Sequence, residues 1–363
     1  MRRCHLPALF LLIAIVLPVS AKDASPKVSR DQMVSRAIAF LSSAQDDNGA
    51  LSPQVGPAVT ALAATGMLAN GRSVTDPAVA KAIEYVRSFA REDGGIYQDN
   101  SLYKNYETCL AMQMFAAANA EHQYDDVIAA GEKFLKELQW DEGEEHDLSS
   151  MNYGGAGYGN HKRPDLSNTA FLIDALHELG AGADDPAIQR ALVFVSRSQN
   201  LESQHNTTPF AAKVNDGGFY YTPAAGGSSQ AGGDAATGLR SYGSMTYAGL
   251  KSMIYCGVKA DDPRVVAAKN WLAKNYTLTE NPGMGQQGLY YYYHTVAKSL
   301  DAVGDPEFTD ATGAKHAWRD ELIAQLAKTQ QPNGSWVNPN DRWLESDPNL
   351  VTAYVLMALA HCD

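Results

Sequence analysis

Residues 288–300 read GLYYYYHTVAKSL, so four consecutive tyrosines stand directly before a histidine. A tyrosine ring offers apolar area and keeps a hydroxyl that needs a polar partner, and histidine is the side chain that titrates near neutral pH. This composition suits the wall of an enclosed site. We therefore predict a catalytic role for His294 and expect the tyrosines of 290–293 to line a ligand cavity, Tyr290, Tyr292 and Tyr293 foremost.

His294 directly precedes a threonine, and five other apolar helical segments have a threonine near their start. The residues before these six threonines are Val59, Glu107, Asn168, Met245, His294 and Val351. If this position faces one cavity, Glu107 and His294 can act there as general acid and base, and Asn168 can contact the ligand. The alternative is that each polar side chain hydrogen-bonds a neighbouring helix.

A long glycine-rich stretch at 215–247 precedes the fourth of these threonines. Loops of this length in compact domains are usually functional or disordered. We predict a lid that carries Asp234 inward as a catalytic group and Arg240 and Tyr242 as ligand contacts. The alternative is a mobile linker with solvated charges.

Two sequence patterns contain the residue types of a metal site. Glu107-Thr108-Cys109 with His294 has zinc-ligand residue types, but the two segments are far apart in the repeat order. Acidic residues at 141–147 could hold calcium, although a run of acids is more often a solvated loop. We expect no metal and no cofactor, and the calcium question stays open.

Helical periodicity runs through the chain, almost without period-two alternation, which indicates an all-α protein. Two classes of helix alternate six times. One class carries the threonine and is apolar on nearly all sides, which favours burial. Helices of the other class often begin with Asp-Pro, where aspartate caps free amides and proline fits the first turn. Six hairpins closed as an inner and an outer ring explain this burial better than an open solenoid.

The segment LAKTQQPNGSW, with Gln330, Gly334 and Trp336, resembles the repeat motif of squalene and terpene cyclases. Gln45 with Gly49, and Gln139 with Gly143, keep its first two positions. YYHT at 292–295 is similar to the helix start that carries the zinc-binding histidine in protein prenyltransferase β subunits. The resemblance implies an (α/α)6 toroid with a central cavity for a bulky apolar, isoprenoid-like ligand.

The chemistry of those families lacks its essential groups here. The D-x-D-D acid cluster of the cyclases is absent, and residues 245–247 read Met-Thr-Tyr where the prenyltransferases have the Asp-x-Cys zinc pair. The Cys-Gly-Glu-Gln string of thioester-containing relatives is also missing. Between catalysis and binding we therefore favour binding or an unusual activity. The sequence does not show whether the protein pairs with a second subunit.

The first residues have the pattern of an export signal, with a basic start, an apolar run and a small-residue site ending at Ala21. We expect export after cleavage there and one toroid domain over 22–363. A net charge of −12 argues against nucleic acid or an anionic membrane as a partner. Beyond the signal only Cys109, Cys256 and Cys362 remain, and their apolar surroundings favour buried thiols over disulfides.

Three functions remain open. The first is binding or conversion of a bulky apolar ligand in the central cavity. The second is a carbohydrate-active enzyme, because rings of six helix pairs also host glycosidases and lyases that use acidic residues and stacking aromatics. The third is a scaffold without catalysis that binds a protein through its loops.

Overall fold

The computed structural model describes Met1 and residues 29–159 and 163–363; residues 2–21 of the predicted export signal lie outside this part of the chain. The helices are, in chain order, α1 (Arg30–Ala44), α2 (Ala58–Ala69), α3 (Pro77–Arg87), α4 (Lys104–Ala118), α5 (Asp125–Glu137), α6 (Leu166–Glu178), α7 (Pro186–Arg197), α8 (Ala211–Val214), α9 (Gly243–Tyr255), α10 (Pro263–Asn275), α11 (Leu289–Val303), α12 (Trp318–Ala327) and α13 (Pro348–Ala360).

Six of these helices form a closed inner ring. Helices α2, α4, α6, α9, α11 and α13 each pack against the next, and α13 packs against α2. The outer helices are α1, α3, α5, α7, α10 and α12. Side-chain bonds join the two ends of the chain, since Gln330 donates to the Met33 carbonyl and Arg36 donates to the Gln331 carbonyl. The predicted all-α toroid is therefore confirmed.

Two short β-hairpins and three 3-10 turns lie in the loops between the helices. Strands β1 (Gly233–Asp234) and β2 (Gly238–Leu239) form one antiparallel hairpin, and β3 (Phe308–Thr309) and β4 (Lys315–His316) form another. Single 3-10 turns occur at Pro53–Val55, Glu142–Glu144 and Arg342–Leu344. In the described residues no helix is both long and apolar enough to span a lipid bilayer. The three described cysteines are buried free thiols, as predicted.

The Asp-Pro helix starts are capped as predicted. The carboxylates of Asp76, Asp185 and Asp262 accept hydrogen bonds from first-turn amides of α3, α7 and α10. Asp347 caps the inner helix α13 in the same way. These caps satisfy backbone donors that have no partner inside the helix.

A glutamine–glycine contact ties successive outer helices together. Gln45 donates to the carbonyl of Gly49 and to that of Ala78 in α3. The corresponding glutamines Gln139, Gln199 and Gln330 make the same pair of bonds to a glycine and to the first turns of α7, α10 and α1. These bonds fix the angle between neighbouring hairpins.

The glycine partner of Gln139 is Gly154, not the predicted Gly143. Gly154 has a φ of 80°, and a Cβ built on it would lie 1.8 Å from the Arg190 carbonyl oxygen. Gly143 instead lies in an exposed 3-10 turn. Gly154 follows Gln139 by fifteen positions instead of the usual four, which is an insertion of eleven residues. The sequence prediction assumed the usual spacing and therefore selected Gly143.

The inner threonines hold each helix start to the segment before it. The Thr246 hydroxyl accepts from the Phe219 amide at 3.0 Å and donates to the Tyr242 carbonyl at 2.9 Å. Matching amide bonds are received by Thr60, Thr108, Thr169 and Thr352. The sixth inner threonine, Thr295, is the exception, since it bonds the Tyr292 carbonyl of its own helix.

We expect Thr246→Val to lower the free energy of unfolding by about 1–3 kcal/mol, because the buried Phe219 amide would lose its acceptor. Urea denaturation followed by circular dichroism measures this change. Thr295→Val is the matched control, since it removes a buried hydroxyl without stranding an amide from another segment. Equal losses for the two variants would contradict the assigned role.

Candidate functional site

A central cavity of about 570 Å³ opens at the end of the ring where the inner helices begin. All six inner helices contribute residues from their first two turns. Residues of the segments before α2, α4, α6, α9 and α13 complete the wall. Nine of the 27 described lining residues are aromatic: Tyr103, Tyr106, Tyr158, Phe171, Tyr221, Tyr242, Tyr291, Trp343 and Tyr354.

One helical register sets which residues reach the wall. An α-helix turns about 100° per residue, so a side chain two positions before the loop-facing threonine points to the opposite side. In α11 the tyrosine Tyr293 takes the threonine's place, since its hydroxyl bonds the Leu278 carbonyl of the preceding segment. The residues two positions earlier all line the cavity: Ala58, Tyr106, Ser167, Ser244, Tyr291 and Leu350.

Glu107 lies on the wall, where the sequence placed it. Its side chain begins in the first turn of α4 and its carboxylate accepts hydrogen bonds from the Gln98 amide at 2.6 Å and from the Ser101 hydroxyl. Burial raises the pKa of the Glu107 carboxyl, and these two bonds oppose that rise. Both oxygens therefore have protein partners, and the catalytic role predicted for Glu107 stays a prediction.

His294 lies behind the wall instead of on it. Its ring stacks on Tyr354, with ring centroids 5.7 Å apart, and Tyr354 takes the position at the cavity. Burial, with Lys298 and Lys251 nearby, holds the pKa of His294 well below its usual range. This position follows from the register, because His294 comes after the residue of α11 that faces the loop. The catalytic role predicted for His294 stays a prediction.

Three predicted lining tyrosines also point away from the cavity. The Tyr292 hydroxyl donates to the Thr277 carbonyl and the Tyr293 hydroxyl to the Leu278 carbonyl, so both rings pack toward the outer layer. Tyr290 packs edge-on against Tyr293. Of the four consecutive tyrosines, Tyr291 is the one on the wall.

Asn168 is buried beside the α6 start and not on the wall. Its side-chain amide donates to Asp165, and its oxygen accepts from Asn105 of α4 at 3.1 Å. These bonds join two neighbouring inner helices. The hydrogen-bonding alternative therefore describes Asn168 better than ligand contact.

The long insertion reaches the cavity through other residues than predicted. Asp234 is exposed in the β1–β2 turn, where it accepts from the amides of Ala236 and Thr237, and the Arg240 side chain is exposed. Tyr242 does line the cavity, together with Tyr221 and Gln230 of the same insertion. The insertion thus forms part of the wall, while the two charges placed inward by the sequence analysis lie outside.

Hydroxyl groups on the wall bond one another. The Tyr106 hydroxyl lies 2.6 Å from the Ser167 hydroxyl, which lies 3.1 Å from the Tyr291 hydroxyl. Burial raises the pKa of Tyr106 and of Tyr291, so these hydroxyls stay protonated. Because their bonds are made within the protein, the wall presents ring faces more than free donors.

A second series of hydrogen-bonded side chains ends on the wall. Asp165, the N-cap of α6, is almost fully buried and hydrogen-bonds the Tyr221 hydroxyl. The Tyr221 hydroxyl lies 3.2 Å from that of Tyr158, and both tyrosines line the cavity. Burial raises the pKa of Asp165 to about 6. Under the carbohydrate hypothesis Asp165 was expected to line an open cleft, whereas the structure buries it at the start of α6.

Glu345 is a further wall residue that the sequence analysis missed. Its carboxylate accepts from the amides of Tyr290 and Tyr291 at 2.9 and 2.8 Å and from the Asn338 side chain. Burial raises the pKa of Glu345, and these bonds oppose the rise. This glutamate caps α11, which has no cap in its own preceding sequence.

Exposed apolar side chains surround the mouth. Leu102 and Tyr103 project from the loop before α4, and Trp343 and Leu344 from the 3-10 turn before α13. Trp343 and Leu344 both have left-handed backbone angles, with φ of 57° and 64°. Such conformations are uncommon outside glycine and recur at functional sites.

The acids at 141–147 are used for local bonds. Asp141 pairs with Arg190 at 3.0 Å, and Glu142 accepts from the Tyr153 hydroxyl at 2.9 Å. Across the described residues no group of three or more His, Cys, Asp or Glu side chains could hold a metal ion.

Comparison with solved structures gives several matches over almost the whole chain. The type II terpene cyclase MstE from Scytonema, in complex with its product merosterolic acid A, is 18% identical with a TM-score of 0.57, over 93% of this chain and 98% of the cyclase. The same cyclase in complex with its substrate geranylgeranyl dihydroxybenzoate is 15% identical with a TM-score of 0.56, over the same shares.

Carbohydrate-active proteins match to a similar degree. A polysaccharide lyase is 10% identical with a TM-score of 0.54, over 92% of this chain and 96% of the lyase. A possible glycoside hydrolase family 105 member from Salmonella enterica has the same identity and TM-score, over 96% and 98%. No family model and no curated protein sequence matches. The chain thus has the α/α-toroid fold that these cyclase and polysaccharide-degrading proteins share.

Proposed function

We propose that this protein binds a bulky apolar small molecule, isoprenoid-like in size and polarity, in its central cavity. The observation that carries the proposal is the wall itself, which includes nine aromatic residues and on which the hydroxyls of Tyr106, Ser167 and Tyr291 bond one another. The cavity volume of about 570 Å³ is within the usual range for small-molecule sites. A cyclase of the same fold is found with a geranylgeranyl compound.

The carbohydrate alternative is less well supported by the geometry. Glycoside hydrolysis uses two carboxyl groups that are free to meet the substrate or a water. On this wall both oxygens of Glu107 and of Glu345 accept hydrogen bonds from the protein. Neither carboxylate therefore presents an unbonded oxygen that could transfer a proton to a sugar or activate a water, although each still places its charge at the wall.

Ala58→Trp tests the binding proposal. Ala58 lines the cavity at the start of α2, so an indole there would occupy ligand space. We expect the affinity for geranylgeraniol, measured by isothermal titration calorimetry, to fall at least tenfold, which is about 1.4 kcal/mol.

Ala117→Trp is the matched control, because Ala117 is exposed at the far end of α4. This variant should bind like the unchanged protein. Organic extracts of the purified protein, analysed by mass spectrometry, give an independent readout of any apolar compound retained. An absence of geranylgeraniol binding together with empty extracts would contradict the proposal.

Proton transfer to the bound molecule is a second candidate function. Hydrogen bonds from Asp165 to Tyr221 and from Tyr221 to Tyr158 connect a buried carboxyl to a hydroxyl on the wall. A carboxyl with a pKa of about 6 is well placed to act as a general acid near neutral pH. Asp165→Asn should then abolish conversion of the bound molecule, while the Kd for that molecule stays within about twofold of the value for the unchanged protein.

A further inference from the structure

The charged side chains on the cavity wall share one sign. Of the lining residues that the structure describes, Asp99, Glu107 and Glu345 carry charge, and none is Lys, Arg or His. An anionic ligand such as a diphosphate or a fatty acid would meet no cationic partner on this wall. A cationic ligand would meet carboxylates.

Glu107 is the carboxylate placed to act on a ligand. It lies on the wall with 3% of its surface exposed, and the Gln98 amide and the Ser101 hydroxyl both donate to it. Burial raises the pKa of Glu107, and these hydrogen bonds oppose the rise because they favour the ionised form. In a site from which water is displaced, a carboxylate acts on a nearby charge more strongly than it does in water.

Most helix ends at the cavity already have polar partners or a carboxylate in the first turn, although α2 begins at Pro57 without a side-chain cap. All six inner helices direct their positive N-terminal ends toward this end of the ring. Asp165, Glu345 and Asp347 cap three of them, α6, α11 and α13. The first amides of α9 bond the Pro282 carbonyl and the Asn281 side chain, and α4 carries Glu107 itself in its first turn.

Three arginines lie near the mouth without lining the cavity, and Nη1 of Arg163 is buried with no hydrogen-bond partner among the described residues. Arg91 pairs with Asp99 at 2.8 Å, which offsets that wall carboxylate. Arg342 donates to Gln230 and Gln287 and lies over the Trp343 ring. The Arg163 guanidinium lies 5.2 Å from the centre of the Tyr221 ring. Glu107 forms no ion pair with a described residue, although the positive charge of Arg91 lowers its pKa.

Aromatic rings complete the pattern. Tyr106 lies between Phe171, at 4.7 Å between ring centroids, and Tyr158, at 5.5 Å. Ring faces attract cations by about 0.5–1 kcal/mol at exposed sites and about 2 kcal/mol or more where water is excluded. Tyrosine hydroxyls that bond one another leave these faces as the surface offered to a ligand.

We propose that the ligand is an apolar molecule carrying a positive charge, a protonated or quaternary amine, with its charged group held between the Glu107 carboxylate and the surrounding rings. This inference rests on the proposed function, since it names the ligand class of the same cavity. It excludes diphosphates and carboxylates as preferred ligands.

Three probes with one ten-carbon chain and different head groups test the inference. Decyltrimethylammonium, 1-decanol and decanoate are titrated separately below their aggregation concentrations, by isothermal titration calorimetry at pH 7. We expect decyltrimethylammonium to bind at least tenfold more tightly than decanol, and decanoate to bind most weakly. Glu107→Gln should reduce the ammonium-to-decanol affinity ratio at least fivefold.

Glu84→Gln is the matched control, because it removes one carboxylate charge from the exposed face of α3 and should leave the ratio unchanged. Decanol binding as tight as ammonium binding, or an unchanged ratio in Glu107→Gln, overturns the cation inference and leaves the apolar cavity proposal standing. Failure of all three probes to bind contradicts the proposed function, and the inference falls with it.

Discussion

Replacing Asp174 with Asn is expected to lower the free energy of unfolding by about 3–5 kcal/mol. Asp174 is buried in the ring interior, with the Lys251 ammonium 2.5 Å and the Lys298 ammonium 3.3 Å from one carboxylate oxygen. The side chains of all three are at most 4% exposed. Without the carboxylate, two buried positive charges would face each other, with Glu178 as the remaining acid near Lys298.

Urea denaturation at pH 7, followed by circular dichroism, measures the loss. Glu178→Gln is the matched control, because the Glu178 side chain is 45% exposed and its pair with Lys298 spans 3.4 Å. A pair of that exposure is worth about 1 kcal/mol or less. The double variant Asp174→Asn with Lys251→Met should recover part of the loss. A change under 1 kcal/mol for Asp174→Asn would refute the assigned role.

The same three residues show why the ring interior could not be read from the sequence. They occupy one level of the ring, five residues after Thr169, Thr246 and Tyr293 respectively. Their ion pairs join three different helices across 77 and 124 residues of chain. Hydrophobic periodicity finds each helix, but it does not report which charges on separate helices meet.

Fold-level features were predictable because they depend on short patterns. Asp-Pro starts and the apolar, threonine-marked helices each recur within a few residues, and their count and order specify six hairpins. Closure of the inner ring followed from burial on all sides of these helices. Insertions changed the spacing of the longer motifs. Gln139, for example, bonds the carbonyl of Gly154 and not that of Gly143.

The wall was predicted in part, and the errors on the inner helices come from one assumption. The residue before each threonine was taken as cavity-facing, which held for Val59, Glu107 and Met245 but not for Asn168, His294 or Val351. The threonine side chain bonds the preceding loop. The residue two positions earlier therefore lies on the opposite side of the helix and faces the cavity. That direction depends on a long-range hydrogen bond, which the sequence alone does not specify.

Changing Asp165 to Asn is expected to alter how stability depends on pH. Burial raises the pKa of Asp165 from about 3.8 in the unfolded chain to about 6 in the folded protein. The folded protein therefore holds this proton over a pH range in which the unfolded chain has released it. Stability contributed by the protonated group is fully present below about pH 3.8 and is lost as pH rises through about 6.

The size of this effect follows from the shift. A difference of roughly two pKa units corresponds to about 3 kcal/mol between the protonated and ionised forms. Asparagine can cap α6 as well as aspartate does, so Asp165→Asn should keep the cap and remove the titration. Urea denaturation between pH 4 and 7 should show the unchanged protein losing about 3 kcal/mol relative to the variant.

The same experiment bears on the polar chain at the cavity. Asp234→Asn is the control, because its carboxylate also accepts backbone amides but lies exposed in the β1–β2 turn. Its pH profile should follow that of the unchanged protein between pH 4 and 7, since its pKa lies below the ordinary value. Parallel curves for Asp165→Asn and the unchanged protein would mean that Asp165 does not titrate near pH 6, and the proton-transfer candidate would lose its acid.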